Sequence, residues 1–150
     1  VMDSMLEAVP AERFGIRISP YFNINGIDDD EHEAMALYLL RACEQRKIAY
    51  VSVAEPSWVG GIVLPEDFIK QSRQTYTGVI FYAGGYTGET AEAAVSSGIC
   101  DAIAFGRPYI ANPDLVERIR TGAKLNEVDR ATVYRGGAKG YTDYPFLDRS

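Results

Sequence analysis

Four short apolar segments, each followed by a helical pattern, constrain the fold of this 150-residue chain more than any other feature. The predicted strands cover residues 14–19, 49–53, 78–82 and 102–105, and they begin about 24 to 35 residues apart, a spacing typical of βα units. Their nearly continuous apolar character is typical of parallel strands. The order predicts an α/β fold with a parallel sheet.

The helical segments complete this pattern and leave two architectures open. Helices are predicted over residues 1–9, 28–46, 65–76, 89–97 and 112–121. Thr87 is a candidate N-cap, and residues 122–150, rich in Gly, Tyr and Asp, are predicted to form an ordered loop. The pattern fits an open doubly wound sheet or part of a (β/α)8 barrel, and a complete barrel needs eight strands and about 250 residues.

Charge and composition exclude several function classes. The formal net charge of −6 argues against a surface for nucleic acid or an anionic membrane. No apolar run is long enough for a membrane span. Cys43 and Cys100 lack C-x-x-C spacing, which favours buried free thiols over a disulfide and indicates a reducing, cytoplasmic location. No zinc-ligand spacing, Ser-His-Asp triad or P-loop occurs, so we expect no metal site, and His32 is expected to face solvent.

The first two predicted strands end in charged residues. In both candidate folds, functional groups collect at the carboxyl ends of the strands. Arg17 lies within an apolar strand, on the face opposite Ile16 and Ile18, where a guanidinium needs an acceptor. Either a structural ion pair or a contact with a ligand satisfies that need. Glu55, after the second strand, is a candidate for a general base or for an ion pair.

The third and fourth predicted strands both end in glycine. Gly84 and Gly85 follow the third strand, and Gly106 and Arg107 follow the fourth. Glycine lets backbone amides approach an anion closely, and arginine makes forked contacts with phosphate. The alternatives are a glycine needed only for the turn and an arginine in a surface salt bridge. Together the two strand ends predict a phosphate site.

Four sequence blocks carry a resemblance to a known family. They are "RFGIRISP", "YAGGYT", "AIAFGRPYIANPDL" and "YRGGAKGYTDYP", in this order along the chain. With them the chain resembles the old yellow enzyme family of FMN-dependent ene reductases, which includes reductases of N-ethylmaleimide and 12-oxophytodienoate. The resemblance covers only the C-terminal half of such a protein. It implies that residues 1–150 supply strands five to eight of a (β/α)8 barrel and that the N-terminal half is absent.

The resemblance also implies roles for individual residues. Arg17 matches the arginine beside the N1 and O2 edge of the flavin, where it stabilises the reduced, anionic ring. The FMN phosphate then lies on the backbone of Gly84 and Gly85 and on Gly106 and Arg107. Substrate-side positions are those of Tyr134, Asn25 and Ile24. Val133, Arg135 and Ile24 depart from the residue types usual in the family, which leaves the substrate preference open.

The implied activity is reduction of electron-poor alkenes, such as enones and maleimides, by hydride transfer from NAD(P)H through FMN. The groups that polarise the substrate and deliver the proton belong to the first half of the family's barrel, so no catalytic residue is expected on this chain. Four strands leave two edges and an inward face open, which predicts a second chain or second half-barrel as partner. The alternative is a non-catalytic half-barrel that binds a phosphorylated ligand or self-associates.

Overall fold

A computed structural model describes residues 1–23, 26, 29–56, 63–135 and 137–147. The chain divides into two compact units, Val1–Ala104 and Phe105–Ser150. Within the described ranges, the elements of the first unit are α1 (Met2–Leu6), a 3-10 turn (Ala11–Arg13), β1 (Gly15–Ile18), α2 (His32–Arg46), β2 (Tyr50–Ala54), α3 (Glu66–Thr75), β3 (Val79–Ala83), α4 (Gly88–Ser96) and β4 (Ala102–Ile103).

The four strands form one parallel sheet in the order β1-β2-β3-β4. Arg17 pairs with Ser52, Ser52 with Phe81, and Phe81 with Ala102. Because all neighbours are parallel, the carboxyl ends of the strands share one edge of the sheet. A doubly wound sheet reverses its strand order at a switch point, whereas sequential order with right-handed crossovers places every helix on one face. The order therefore favours part of a barrel and confirms the predicted α/β class.

The helices cover one face of the sheet. Val51, Val53, Ile80 and Tyr82 of this face are completely buried and pack in one cluster that includes Leu40 of α2 and Phe68 of α3. The opposite face, called the open face below, carries Arg17, Tyr50, Ser52, Val79, Phe81 and Ala102. Tyr50 and Val79 are exposed, and the rings of Tyr50 and Phe81 stack with centroids 5.3 Å apart. A face that no described helix of the first unit covers is what we expect of half a barrel.

Several element bounds differ from the predicted ones. Helix α2 begins at His32 instead of Asp28, and Asp29 Oδ1 accepts a hydrogen bond from Glu31 N at 2.8 Å in a turn before the helix. Strand β4 is confined to Ala102–Ile103. No helix in the described ranges combines the length and apolar character that crossing a bilayer requires.

The second unit contains two short helices, α5 (Arg107–Ala111) and α6 (Leu115–Thr121). Helix α5 was not predicted, although Pro108 in its first turn favours a helix start. The tail after α6 consists of turns held by side-chain amides. Asn126 N donates to Asn112 Oδ1 at 2.7 Å, and Asn126 Nδ2 donates to the Pro145 carbonyl at 2.9 Å. These bonds link the described part of the tail to α5 and to its own C-terminal end.

Candidate functional site

Arg17 extends from the middle of β1 onto the open face. Its neighbours Ile16 and Ile18 pack against the core cluster on the other side of the sheet, so the expected alternation is confirmed. Arg17 is exposed, and its guanidinium makes no hydrogen bond or salt bridge with any residue that the structure describes. The structural ion pair is therefore not found among the described residues. A ligand contact remains the prediction for this cation.

The turn after β3 packs tightly against the end of β2. Glu55 N donates to the Ala83 carbonyl at 2.7 Å, which extends the sheet ladder beyond both strands. A Cβ added at Gly84 would lie 2.8 Å from Glu55 Cβ and 2.8 Å from Glu55 Oε1, closer than such atoms approach each other. Packing thus favours glycine at position 84, because any Cβ there would force the Glu55 side chain or the turn to shift. The contact of Gly84 and Gly85 with a phosphate stays a prediction.

Thr87 closes this turn and begins α4. Its Oγ1 accepts a hydrogen bond from Thr90 N at 3.2 Å, and Thr90 Oγ1 accepts one from Thr87 N at 2.9 Å. This reciprocal capping box satisfies two backbone donors at the start of the helix and confirms the predicted N-cap. The position of the turn between β3 and α4 is therefore fixed at both ends.

Gly106 and Arg107 lie at the start of α5. The Gly106 carbonyl accepts hydrogen bonds from Tyr109 N at 3.0 Å and Ile110 N at 3.1 Å. A Cβ at position 106 would meet no heavy atom within 4 Å among the described residues, so packing does not require glycine there. Such space beside a backbone is what the close approach of a ligand needs. Arg107 is half-buried, and its phosphate contact stays a prediction.

Tyr134 lies in a turn of the second unit. The Asp129 carbonyl accepts hydrogen bonds from Thr132 N and Val133 N, and Arg135 N donates to the Thr132 carbonyl at 3.0 Å. Tyr134 itself has a left-handed backbone with φ of 64°, and its side chain is 63% exposed. Its ring is accessible for the predicted substrate contact, and the neighbouring side chain of Arg135 is exposed as well.

The other two predicted substrate residues, Ile24 and Asn25, lie outside the described residues. The chain before them turns at Tyr21, which has a φ of 68°. The Tyr21 hydroxyl donates to Glu33 Oε2 at 2.6 Å. Burial, and then this bond to Glu33, raise the pKa of Tyr21 above its ordinary value. The loop after β1 is therefore tied to α2.

His32 was predicted to face solvent, but it does not. It is half-buried, its ring centroid lies 4.3 Å from that of Tyr21, and its Nδ1 lies 2.7 Å from the Asp29 carbonyl oxygen. The prediction was wrong because α2 begins at this residue, which turns the ring onto Tyr21 instead of onto an exposed helix face. Within the described ranges, no three His, Cys, Asp or Glu side chains are grouped so that they could hold a metal ion.

Comparison with protein families shows which family this chain belongs to. The model of the NADH:flavin oxidoreductase / NADH oxidase family matches residues 1–126. The chain belongs to this family. The resemblance to old yellow enzymes is confirmed, and with it the α/β class as part of a barrel.

Relatives and solved structures agree with the family. The chain is 39% identical over 148 residues to a probable flavin mononucleotide-dependent alkene reductase of Leishmania infantum. It is 35% identical over 151 residues to 12-oxophytodienoate reductase 2 of Arabidopsis thaliana. These matches cover 98% and 99% of the chain but 40% of each relative. The chain thus spans about two fifths of the length of these relatives.

Among solved structures, morphinone reductase matches with a TM-score of 0.91 and 48% identity, over 99% of this chain and 40% of that one. The old yellow enzyme from Trypanosoma cruzi matches with a TM-score of 0.87 and 35% identity, over 97% of this chain and 38% of that one. A further similar structure is morphinone reductase in complex with tetrahydroNAD, with a TM-score of 0.88. The family is flavin-dependent, and a nicotinamide analogue binds to one of its members.

The residues of this chain fit the FMN that the family uses. Arg17 offers a cation on the open face with no described side-chain partner, which suits the ring edge that gains negative charge on reduction. Gly106 offers open space beside its backbone. The burial of Glu55 against Gly84 was not anticipated from sequence. The sequence feature that could have indicated this burial is the "AEP" segment, in which the acidic Glu55 directly follows an apolar strand and precedes Pro56.

Proposed function

We propose that this chain is the C-terminal half of an FMN-binding (β/α)8 barrel, residues 1–150, which in complete form reduces electron-poor alkenes such as enones and maleimides with NADH or NADPH. The observation that carries the proposal is Arg17, an exposed cation on the open face without a described side-chain partner. Once the open face is enclosed in a complete barrel, a guanidinium on it is costly unless an anion or acceptor approaches it. Family membership and the alkene reductases among the relatives support the assignment.

Each group on this chain has a binding role. Arg17 stabilises negative charge at the N1 and O2 edge of the ring. The backbone of Gly84 and Gly85 holds the phosphate, and Gly106 and Arg107 contribute a second set of contacts to it. When bound, FMN supplies hydride transfer between the nicotinamide and the alkene. Tyr134, Asn25 and Ile24 line the substrate side.

The rest of the barrel supplies what this chain lacks. The groups that polarise the substrate carbonyl and deliver a proton lie outside it, and the open face with Tyr50 and Phe81 packs against the remaining strands in the complete protein. Closing the sheet into a barrel removes both free edges and buries this face. The partner is therefore a second half-barrel, in the same chain or in another one.

The test uses the full-length protein. Native mass spectrometry reports bound FMN and the number of chains, and anaerobic stopped-flow absorbance follows flavin bleaching by NADH and NADPH and its reoxidation by an enone or a maleimide. We expect one FMN for each complete barrel and reoxidation by the alkene. Protein that lacks flavin after expression, and does not take up added FMN, contradicts the proposal.

A second function is supported by the open face itself. Tyr50 and Val79 are 40% and 38% exposed, and exposed apolar surface promotes association. A half-barrel that self-associates, with or without a phosphorylated ligand, buries this surface without any redox chemistry. Colourless, oligomeric protein that does not oxidise NADPH identifies this alternative, whereas yellow protein that reduces alkenes excludes it.

We also propose a cytoplasmic location. Both cysteines, Cys43 and Cys100, are buried free thiols. Free thiols persist in reducing compartments. Fractionation of cells that express the full-length protein with a small tag tests this, and recovery in a secreted or membrane fraction contradicts it.

A further inference from the structure

Glu55 is a buried acidic residue that the proposed reaction does not use. It follows β2 at the carboxyl edge of the sheet and is only 5% exposed. Acidic side chains are rarely buried so completely without a specific reason. A reason is needed all the more because the proposed phosphate contacts lie on the adjoining turn, where a second negative group is electrostatically unfavourable.

Two contacts of Glu55 are with the turn after β3. Its backbone N–H donates to the Ala83 carbonyl at 2.7 Å, and its side chain fills the space that a Cβ of residue 84 would occupy. Its Oε2 accepts a long hydrogen bond from Leu64 N at 3.4 Å, which links it to the chain just before α3. Burial and then the nearby Glu55 carboxyl group raise the pKa of Tyr86, the residue that follows Gly85.

We propose that Glu55 is a positioning residue that shapes the Gly84–Gly85 turn for the phosphate of FMN. The inference rests on the proposed function and deepens it. The side chain of Glu55 packs against the turn and leaves no room for a Cβ at position 84 unless the side chain or the turn shifts. The Glu55 side chain occupies the space beside the Gly84 backbone where a side chain of residue 84 would lie. It thereby keeps the turn from moving toward β2.

Packing, and not charge, is the property that this role uses. Gln has nearly the same shape as Glu and retains a carbonyl oxygen that can accept the hydrogen bond from Leu64 N. The Glu55→Gln variant therefore keeps the turn in place and removes a negative group from the neighbourhood of the phosphate. The Glu55→Ala variant removes the atoms that contact Gly84 and leaves a cavity in their place, which the turn can enter.

The experiment compares dissociation constants for FMN and for riboflavin, which lacks the phosphate, on the full-length apoprotein. For Glu55→Ala we expect FMN binding to weaken by about tenfold or more, with riboflavin binding unchanged within about twofold. For Glu55→Gln we expect FMN binding equal to or tighter than that of the wild type. Leu40→Ala is the matched control, because Leu40 is completely buried in the core and its truncation lowers stability away from the turn.

Each outcome decides between a positioning and a merely structural role. An equal loss of both ligands in Glu55→Ala, or the same change of the FMN-to-riboflavin ratio in Leu40→Ala, overturns the inference. If Glu55→Ala does not fold, Glu55→Asp replaces it, and a ratio unchanged in Glu55→Asp also overturns the inference. Wild-type protein that does not prefer FMN over riboflavin overturns the proposed phosphate site itself, and this inference with it.

Discussion

Asp114 and Arg118 form an almost completely buried ion pair one turn apart at the start of α6, with Nε of Arg118 2.6 Å from Oδ1 of Asp114. The same guanidinium donates to the carbonyls of Lys124 at 2.6 Å and Pro145 at 3.0 Å. The other carboxylate oxygen of Asp114 accepts a hydrogen bond from Leu147 N at 2.7 Å. The pair therefore ties both ends of the tail segment that contains Tyr134 to one helix.

Loss of Arg118 releases this segment. In the Arg118→Ala variant, Asp114 stays in its low-exposure site without its cation. The Lys124 carbonyl loses its donor, and the Pro145 carbonyl keeps only the hydrogen bond from Asn126 Nδ2. We expect amide hydrogen exchange of residues 124–147 to become at least about tenfold faster in the full-length protein, with little change in β1–β3. The control is Arg120→Ala, since Arg120 forms an exposed pair with Glu117 on the same helix. Equal exchange in both variants contradicts the role of the pair.

The same pair gives the tail a dependence on acid. Burial tends to raise the pKa of Asp114, but the hydrogen bonds from Arg118 and from Leu147 N outweigh it and hold that pKa below its ordinary value. A lowered pKa means that the stabilisation is present above the unfolded pKa of about 3.9 and is lost as the pH falls through the folded pKa. Protection of residues 124–147, measured as the exchange rate relative to the intrinsic rate at each pH, should therefore fall in acid below that value. The Asp114→Asn variant should lack this step.

Sequence reasoning succeeded where local pattern decides the structure. The apolar runs gave the four strands and their parallel class, Thr87 was identified as an N-cap, and alternation along β1 put Arg17 opposite Ile16 and Ile18. It failed where side chains from distant segments decide. The start of α2 depends on a turn at Asp29, and the packing of His32 depends on the strained backbone of Tyr21. Helix propensity predicts neither of these contacts.

The site shows the same division between local and long-range information. The position of Gly84 after a strand is a local signal, but the reason for glycine there is the side chain of Glu55, which lies on another strand end. The tail polar network likewise joins Asn112 to Asn126 and Asp114 to Leu147. The spacing of these residues follows no helical or strand period, so no periodic pattern predicts their contacts.

Arg17 should control the reduction potential of the bound flavin. A cation near the ring edge that becomes negative stabilises the reduced state, so Arg17→Gln should make the midpoint potential of FMN more negative by about 30 mV or more, a tenfold change in the two-electron equilibrium. Arg13→Gln is the control, because Arg13 is exposed and precedes β1 at its opposite end. The potential is measured against reference dyes during anaerobic titration, and an unchanged potential in Arg17→Gln removes Arg17 from the flavin edge.

The two thiols should be nearly unreactive in the folded protein. Burial raises the pKa of Cys43 to about 11 despite the opposing effect of Arg46, and burial also raises the pKa of Cys100. Thiolate is the reactive form, so alkylation by iodoacetamide at about pH 8 should be slow for both and should become fast in denaturant. Peptide mass spectrometry separates the two sites. Rapid labelling of the native protein, or a disulfide at either residue, contradicts the buried-thiol assignment.

Arg107 should matter for flavin retention far more than for folding. If it contacts the phosphate, Arg107→Ala loses a charge-assisted contact to FMN, whereas a half-buried side chain at the start of a five-residue helix adds little to the core. We expect the variant to lose most of its flavin during dialysis that leaves the wild type yellow, with thermal unfolding of the two apoproteins nearly equal. Arg41→Ala on the exposed side of α2 serves as the control for loss of one positive charge. Full retention of FMN by Arg107→Ala assigns the phosphate to other residues, and equal loss in Arg41→Ala shows that only net charge matters.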